Sequence, residues 1–146
     1  MAAPNLNAMI LGSRTITAAL TDVVLTEGTS AAGSSQAFWD RFAGINALSV
    51  EALFTYGSGG TTAILRIDTA LGSGGVWRNI ARIDFATASL VRAFTISRTA
   101  LPLTTIAELG SESLVNFLGD RFRARLTTTG TYAGNTLLDV RAQPHA

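Results

Sequence analysis

The chain has 146 residues, no cysteine and a formal net charge of +1, and only 14% of its residues are charged. The length suits one domain with a sizeable core. The missing cysteines exclude a disulfide framework and thiolate chemistry, and the near-zero charge excludes a strong field steering the chain to nucleic acid or an acidic membrane.

Residues 1–11 lack a basic start and a long apolar stretch, so no secretion signal is expected there. Pro4 and Gly12 discourage regular structure at the start. A strand is expected over residues 15–20, extended or restarted by Val23, Val24 and Leu25, with a loop over 27–33. Residues 1–33 therefore read as an extended N-terminal arm with a first strand, and 34–146 as a single β-sandwich domain. Disorder of the arm in a free monomer is an equal reading. Phe38, Trp39 and Phe42 have a spacing that fits a strand or a short helix.

The best strand signal lies in residues 48–71. Leu48, Val50, Ala52, Phe54 and Tyr56 share one face at a period of two, and Ala63, Leu65, Ile67 and Thr69 share another. With Gly57-Ser58-Gly59-Gly60 between them, the two arms predict an antiparallel hairpin. Leu53 and Ile64 would then meet as a small apolar patch on the water-facing side. Residues 76–85 break strict alternation in a way that one extra residue near Asn79 corrects, the signature of a β-bulge. Residues 89–98 alternate again, with Arg92 among the apolar positions, which places it at a strand end or beside a carboxylate. A loop is expected over 99–110 and a helical turn over 111–118. In the next strand Phe122, Ala124 and Leu126 point inward and Arg121, Arg123 and Arg125 outward. A Gly-bounded turn over 130–134 leads to a last strand over 135–141, and the single histidine, His145, falls in a short tail.

Seven or eight strands joined by Gly-rich turns make the fold class all-β: an antiparallel β-sandwich, jelly-roll-like, with the extended N-terminal arm. The charged fraction lies well below the roughly 25% of an ordinary soluble domain. Thr, Ser, Gly and Ala take the place of charge, so part of the surface is expected to be covered by other copies or by a partner.

The row Arg121, Arg123, Arg125 reads either as a basic stripe for an acidic partner or as a cross-strand ladder with Asp139, Glu51, Asp68 or Asp84. Phe122 faces away from its arginine neighbours, which counts against a nucleic-acid platform. Asp68 and Asp84 are the only carboxylates with a case for a metal, and no calcium-type loop accompanies them. The Gly-rich turns lack the lysine of a phosphate loop, and His145 has no rigid setting for a catalytic base. No enzyme activity, cofactor or metal is expected.

The segments 54–62, 77–81, 118–123 and 130–136, with the start Met1-Ala2-Ala3-Pro4-Asn5, resemble small structural proteins of tailed phages, among them capsid decoration (cement) proteins. The resemblance implies a non-enzymatic virion protein on the capsid surface that binds the major capsid protein, forms a homo-oligomer with a trimer favoured, and contacts neither nucleic acid nor membrane. In that setting Asn5, Leu6, Ile10, Leu11 and Ile16 of the arm, with Leu53, Ile64, Arg121, Arg123 and Arg125, are the candidate interface residues. Alternatives are a neck or tail component, and a carbohydrate-binding sandwich using Tyr56, Trp77 and Tyr132.

Overall fold

A computed structural model describes residues 8–27, 30–31, 44–72, 74–98 and 108–146. The strands are β1 (Met9–Thr15), β2 (Val23–Val24), β3 (Thr26–Glu27), β4 (Ser30–Ala31), β5 (Ala47–Thr55), β6 (Ser58–Gly59), β7 (Thr62–Ala70), β8 (Arg78–Phe85), β9 (Leu90–Ser97), β10 (Ser113–Leu114), β11 (Arg121–Thr129), β12 (Tyr132–Ala133) and β13 (Leu137–His145). They form one sheet in the order β4-β3-β1-β13-β5-β9, a second in the order β10-β8-β7-β11-β2, and a two-stranded ribbon β12-β6.

The pairing has a simple logic. β1 pairs with β13, β2 with β11, β5 with β9 and β7 with β8, all antiparallel. In effect one long hairpin of four strand pairs is rolled up, so that β1-β13-β5-β9 faces β2-β11-β7-β8. That is an antiparallel β-sandwich of jelly-roll topology. Alternation within the strands sets which residues enter the core. Leu48, Val50, Ala52 and Phe54 of β5 face Leu65, Ile67, Ile83, Phe122, Ala124 and Leu126 of the other sheet, all at 5% exposure or less. Phe54 stacks on Phe85 with centroids 4.9 Å apart and meets the Tyr132 ring edge-on at 5.8 Å.

The hairpin expected over 48–71 is a crossing between the sheets. Both arms have the predicted inward faces, but β5 and β7 lie in different layers, so those faces oppose each other across the core. A period of two is the same in either arrangement. The turn decides: β6 pairs with β12, Gly59 opposite Tyr132. Gly60 has φ +69°, and a Cβ there would overlap the Tyr132 ring, so only glycine lets the chain pass under that ring.

The described part of the N-terminal region, residues 8–27 and 30–31, contributes strands to both sheets. The expected strand lies at Met9–Thr15, not over 15–20. Gly12 sits within it at an irregularity in the β1–β13 register. A Cβ at Gly12 would stand 2.5 Å from Leu25 Cβ, so the missing side chain is what lets the first crossing close over β1. Beyond β1 the chain is sewn to β11 and β13. Ile16 N donates to Thr136 O at 2.8 Å, Thr128 N to Leu20 O at 2.9 Å, and Leu25 N to Ala124 O at 2.8 Å.

The bulge near Asn79 is present: Ala81 pairs with Ile67 and Asn79 with Asp68, leaving Ile80 as the extra residue. The expected helical turn over 111–118 is not helical: the chain turns at Ser111 and Glu112, and Ser113–Leu114 form β10. Its backbone is taken by the free edge of β8, with Ser113 opposite Arg82 and Val115 N donating to Ile80 O at 2.8 Å. His145 is no loose tail either; it ends β13, with Nε2 2.9 Å from Ser49 Oγ. Phe38, Trp39 and Phe42, and residues 99–107 of the expected loop, lie outside the described residues.

Candidate functional site

Two outer faces and one edge are available for function. On the face of the second sheet, register places Arg125 opposite Arg66 and Arg66 opposite Arg82, three arginines in one row across β11, β7 and β8. The next row holds Arg123, Asp68 and Asn79. Asp68 is only 1% exposed. It accepts from Arg123 Nε at 2.8 Å, from Arg125 Nη2 at 3.0 Å and from Asn79 Nδ2 at 3.2 Å. Burial alone would lower the Arg125 guanidinium; hydrogen bonds and charge from Asp68, then Glu108, outweigh it and hold the pKa above its ordinary value.

Arg82 forms a two-pronged pair with Asp84 at 2.8 and 3.0 Å. That hydrogen bonding holds the Asp84 carboxyl below its usual range against burial, helped by the Ser111 hydroxyl at 2.7 Å. The same pair raises Arg82. Trp77 lies on this face, half-buried, with Arg121 over its ring at 4.9 Å and Arg123 at 4.4 Å.

A segment then crosses this face. Glu108 pairs with Arg66 at 2.6 Å and with Arg125 at 2.9 Å. Leu109 N donates to Asn79 Oδ1 at 3.0 Å, and its carbonyl accepts from Arg82 Nη1 at 3.4 Å. Glu112 Oε1 accepts the Asp84 N–H at 3.0 Å.

The outward side of the first sheet is plainer. It has a shallow depression of about 570 Å³, with Ser49, Glu51, Thr95, Arg141 and Gln143 on its lining. Ile10 is opposite Arg141, and Leu53 lies between Asp139 and Val91. Among the described residues the sheet ends on β4 at one side and on β9 at the other, and β9 is the long edge strand. Six of its eight residues are exposed, with Val91 at 57% and Leu90 at 38%. Arg92 meets Glu112 at 3.8 Å, so the carboxylate partner expected for it exists.

The candidate interface residues divide accordingly. Ile10 and Leu53 share the face of the first sheet. Ile64, Arg121, Arg123 and Arg125 share the face of the second, so Leu53 and Ile64 do not meet. Leu11 and Ile16 are fully buried against this chain's own core. Asn5 and Leu6 lie outside the described residues. Arg123 and Arg125 form the cross-strand ladder with Asp68 as their anion, while Arg121 Nη1 donates to Gly72 O at 3.1 Å; Asp139 and Glu51 belong to the other sheet, Asp139 pairing with Arg141 at 3.1 Å. Asp84 sits opposite Ile64 and Asp68 opposite Asn79, so the two carboxylates do not converge. Among the described residues no group of three or more His, Cys, Asp or Glu is placed to hold a metal. The expected aromatic groove does not assemble: Tyr132 is fully buried, its hydroxyl donating to Ala86 O at 2.8 Å, and Trp77 is capped by arginines.

Sequence reasoning missed the in-register arginine row and the part played by Glu108. The row exists only once β11, β7 and β8 are neighbours, and a glutamate in a loop has no pattern that assigns it a partner 42 residues earlier at Arg66. No protein-family model matches the chain, and neither does any curated protein.

Proposed function

We propose that this protein is a non-enzymatic structural component of a tailed-phage virion, a decoration protein that binds the major capsid protein on the outside of the shell and does so as a homo-oligomer. The observation that carries the reading is the β9 edge. An exposed strand of eight residues with no strand beyond it among the described residues is a template for strand addition, and its own protection is slight: Arg92 is its only charge, and it has neither proline nor bulge. The charge-poor composition, the jelly-roll topology, which hosts capsid domains among others, and the resemblance of the turn segments to phage structural proteins support the same reading.

The experiment is sedimentation of purified protein with purified shells of the phage that encodes it. Wild-type protein is expected to pellet with the shells. Val91→Lys, which puts a charge on the edge and leaves the core untouched, is expected to stay in the supernatant. Equal pelleting of the two removes β9 from the interface; no pelleting of either contradicts the decoration reading.

A further inference from the structure

Three arginines in one register row are an unusual thing to build. Like charges directly opposite on neighbouring strands destabilise a sheet unless anions lie between them. Arg125, Arg66 and Arg82 nevertheless keep side-chain exposures of only 12%, 14% and 21%. Arg82 and Arg125 have carboxylates from the sheet itself, Asp84 and Asp68. Arg66, at the centre, forms no ion pair with a carboxylate of the sheet among the described residues: its anion is Glu108, which comes from outside the sheet. That fit is also imperfect, because Glu108 Oε2 lies close to the buried Arg66 Nε but off the line of its N–H, which has no hydrogen-bond partner.

The segment that brings Glu108 is weakly held. From Glu108 to Glu112 no side chain is buried, and four of the five residues are exposed. Its ties to the sheet are polar: Glu108 to Arg66 and Arg125, the Leu109 backbone to Asn79 and Arg82, Ser111 to Asp84, and Glu112 to the Asp84 N–H. Contacts of that kind open at low free energy and weaken in salt.

We propose that the outer face of the second sheet is a binding site for an extended acidic peptide segment of a partner protein, and that residues 108–112 are an internal occupant that competes for it. The bound segment itself shows the recognition chemistry. A glutamate carboxylate enters between Arg66 and Arg125, the next residue's backbone N–H and carbonyl are read by Asn79 and Arg82, and a second acidic residue follows four positions on. Adjacent strands are about 4.8 Å apart, so the arginine row spans about 10 Å. That length suits a chain of carboxylates better than a single small anion, which reaches two guanidiniums at most. When residues 108–112 leave, taking Glu108 and Glu112 with them, Arg66, Arg82, Arg121, Arg123 and Arg125 face Asp22, Asp68 and Asp84 among the described residues, and the face is net positive. The site does not depend on the capsid reading; any partner with an exposed acidic strand or tail fits it.

The test uses the full chain and an acetylated, amidated peptide copying residues 108–112, titrated calorimetrically at low salt. Glu108→Gln changes an exposed side chain and weakens the internal occupant. It is expected to bind the peptide about tenfold more tightly than wild type does, the factor equivalent to one charge-assisted hydrogen bond. Adding Arg66→Gln to that variant is expected to abolish binding while the circular-dichroism melting curve stays cooperative. A peptide with glutamine at both acidic positions is expected not to bind. Equal affinity of wild type and Glu108→Gln overturns the competition, and binding that survives Arg66→Gln overturns the site. Inorganic phosphate binding as tightly as the peptide overturns the assignment to a peptide. Should Arg66→Gln melt without cooperativity, salt decides in its place: peptide affinity of Glu108→Gln that falls with added sodium chloride supports the site, and affinity indifferent to salt overturns it.

Discussion

Asp68 is the residue on which the second sheet's outer face turns. It is a buried carboxylate serving two guanidiniums, and removing its charge takes from Arg123 its only carboxylate among the described residues and leaves Arg125 with the exposed Glu108 and Asp22 alone. Asp68→Asn keeps the shape and the contact with Asn79 but discards the charge, so it is expected to cost about 3 kcal/mol of unfolding free energy. Urea denaturation checks this; a loss under about 0.5 kcal/mol, the size of a surface change, would contradict it. Asp84 gives a pH signature. Its folded pKa lies below the ordinary 3.8, so its pairing with Arg82 stabilises the protein fully above that value. The contribution is lost as pH falls below 3.8 and through the lower folded pKa. In Asp84→Asn the acid limb of stability against pH is expected to be shallower than in wild type. Thermal melts between pH 2 and 6 read it, and identical limbs would refute the assignment. At this scale the sequence was partly legible. Outward arginines at 121, 123 and 125 followed from alternation, and Asp68 was one of four carboxylates in contention. Choosing it required knowing that β7, not β13, is the neighbour of β11.

Elements carry the larger lesson. β5, β7, β9 and β11 were visible in their alternation, because a half-buried strand has to alternate, and β8 in an alternation put out of phase by its bulge. What alternation does not encode is which layer a strand joins. The run 48–71 has the pattern of a hairpin, yet its glycines thread under Tyr132 and send β7 to the opposite sheet. The helix-like spacing of Leu114, Val115, Phe117 and Leu118 lost to a vacant edge of β8, where backbone hydrogen bonding was on offer. β1 escaped notice because Gly12 is a strand breaker by composition but a packing requirement here. Two predictions belong to this element. Leu11→Ala empties a fully buried site between the sheets and is expected to lower stability by about 3 kcal/mol. Gly12→Ala drives a methyl into Leu25 and is expected to cost about 1–3 kcal/mol. Guanidinium midpoints measure both. Variants as stable as wild type would mean that β1 is not part of the core, as would a cooperatively folded protein after removal of residues 1–20.

At the scale of the molecule, the jelly-roll joins the first strand to the last, and its eight principal strands enclose one core between two sheets. That closure leaves β9 as a long edge with no strand beyond it among the described residues, and leaves two faces of different character, one with a shallow depression, the other crowded with arginines and carboxylates. The proposed role uses the edge. Occupancy on particles separates decoration from a neck or tail position, since a decorating protein repeats with the shell lattice and a neck ring does not. The measurement that tests this most directly is quantitative mass spectrometry of purified, intact phage particles, counting this chain against the major capsid protein. Hundreds of copies per particle are expected, in a simple ratio to the capsid protein. Absence from the particle, or about a dozen copies or fewer, would contradict it.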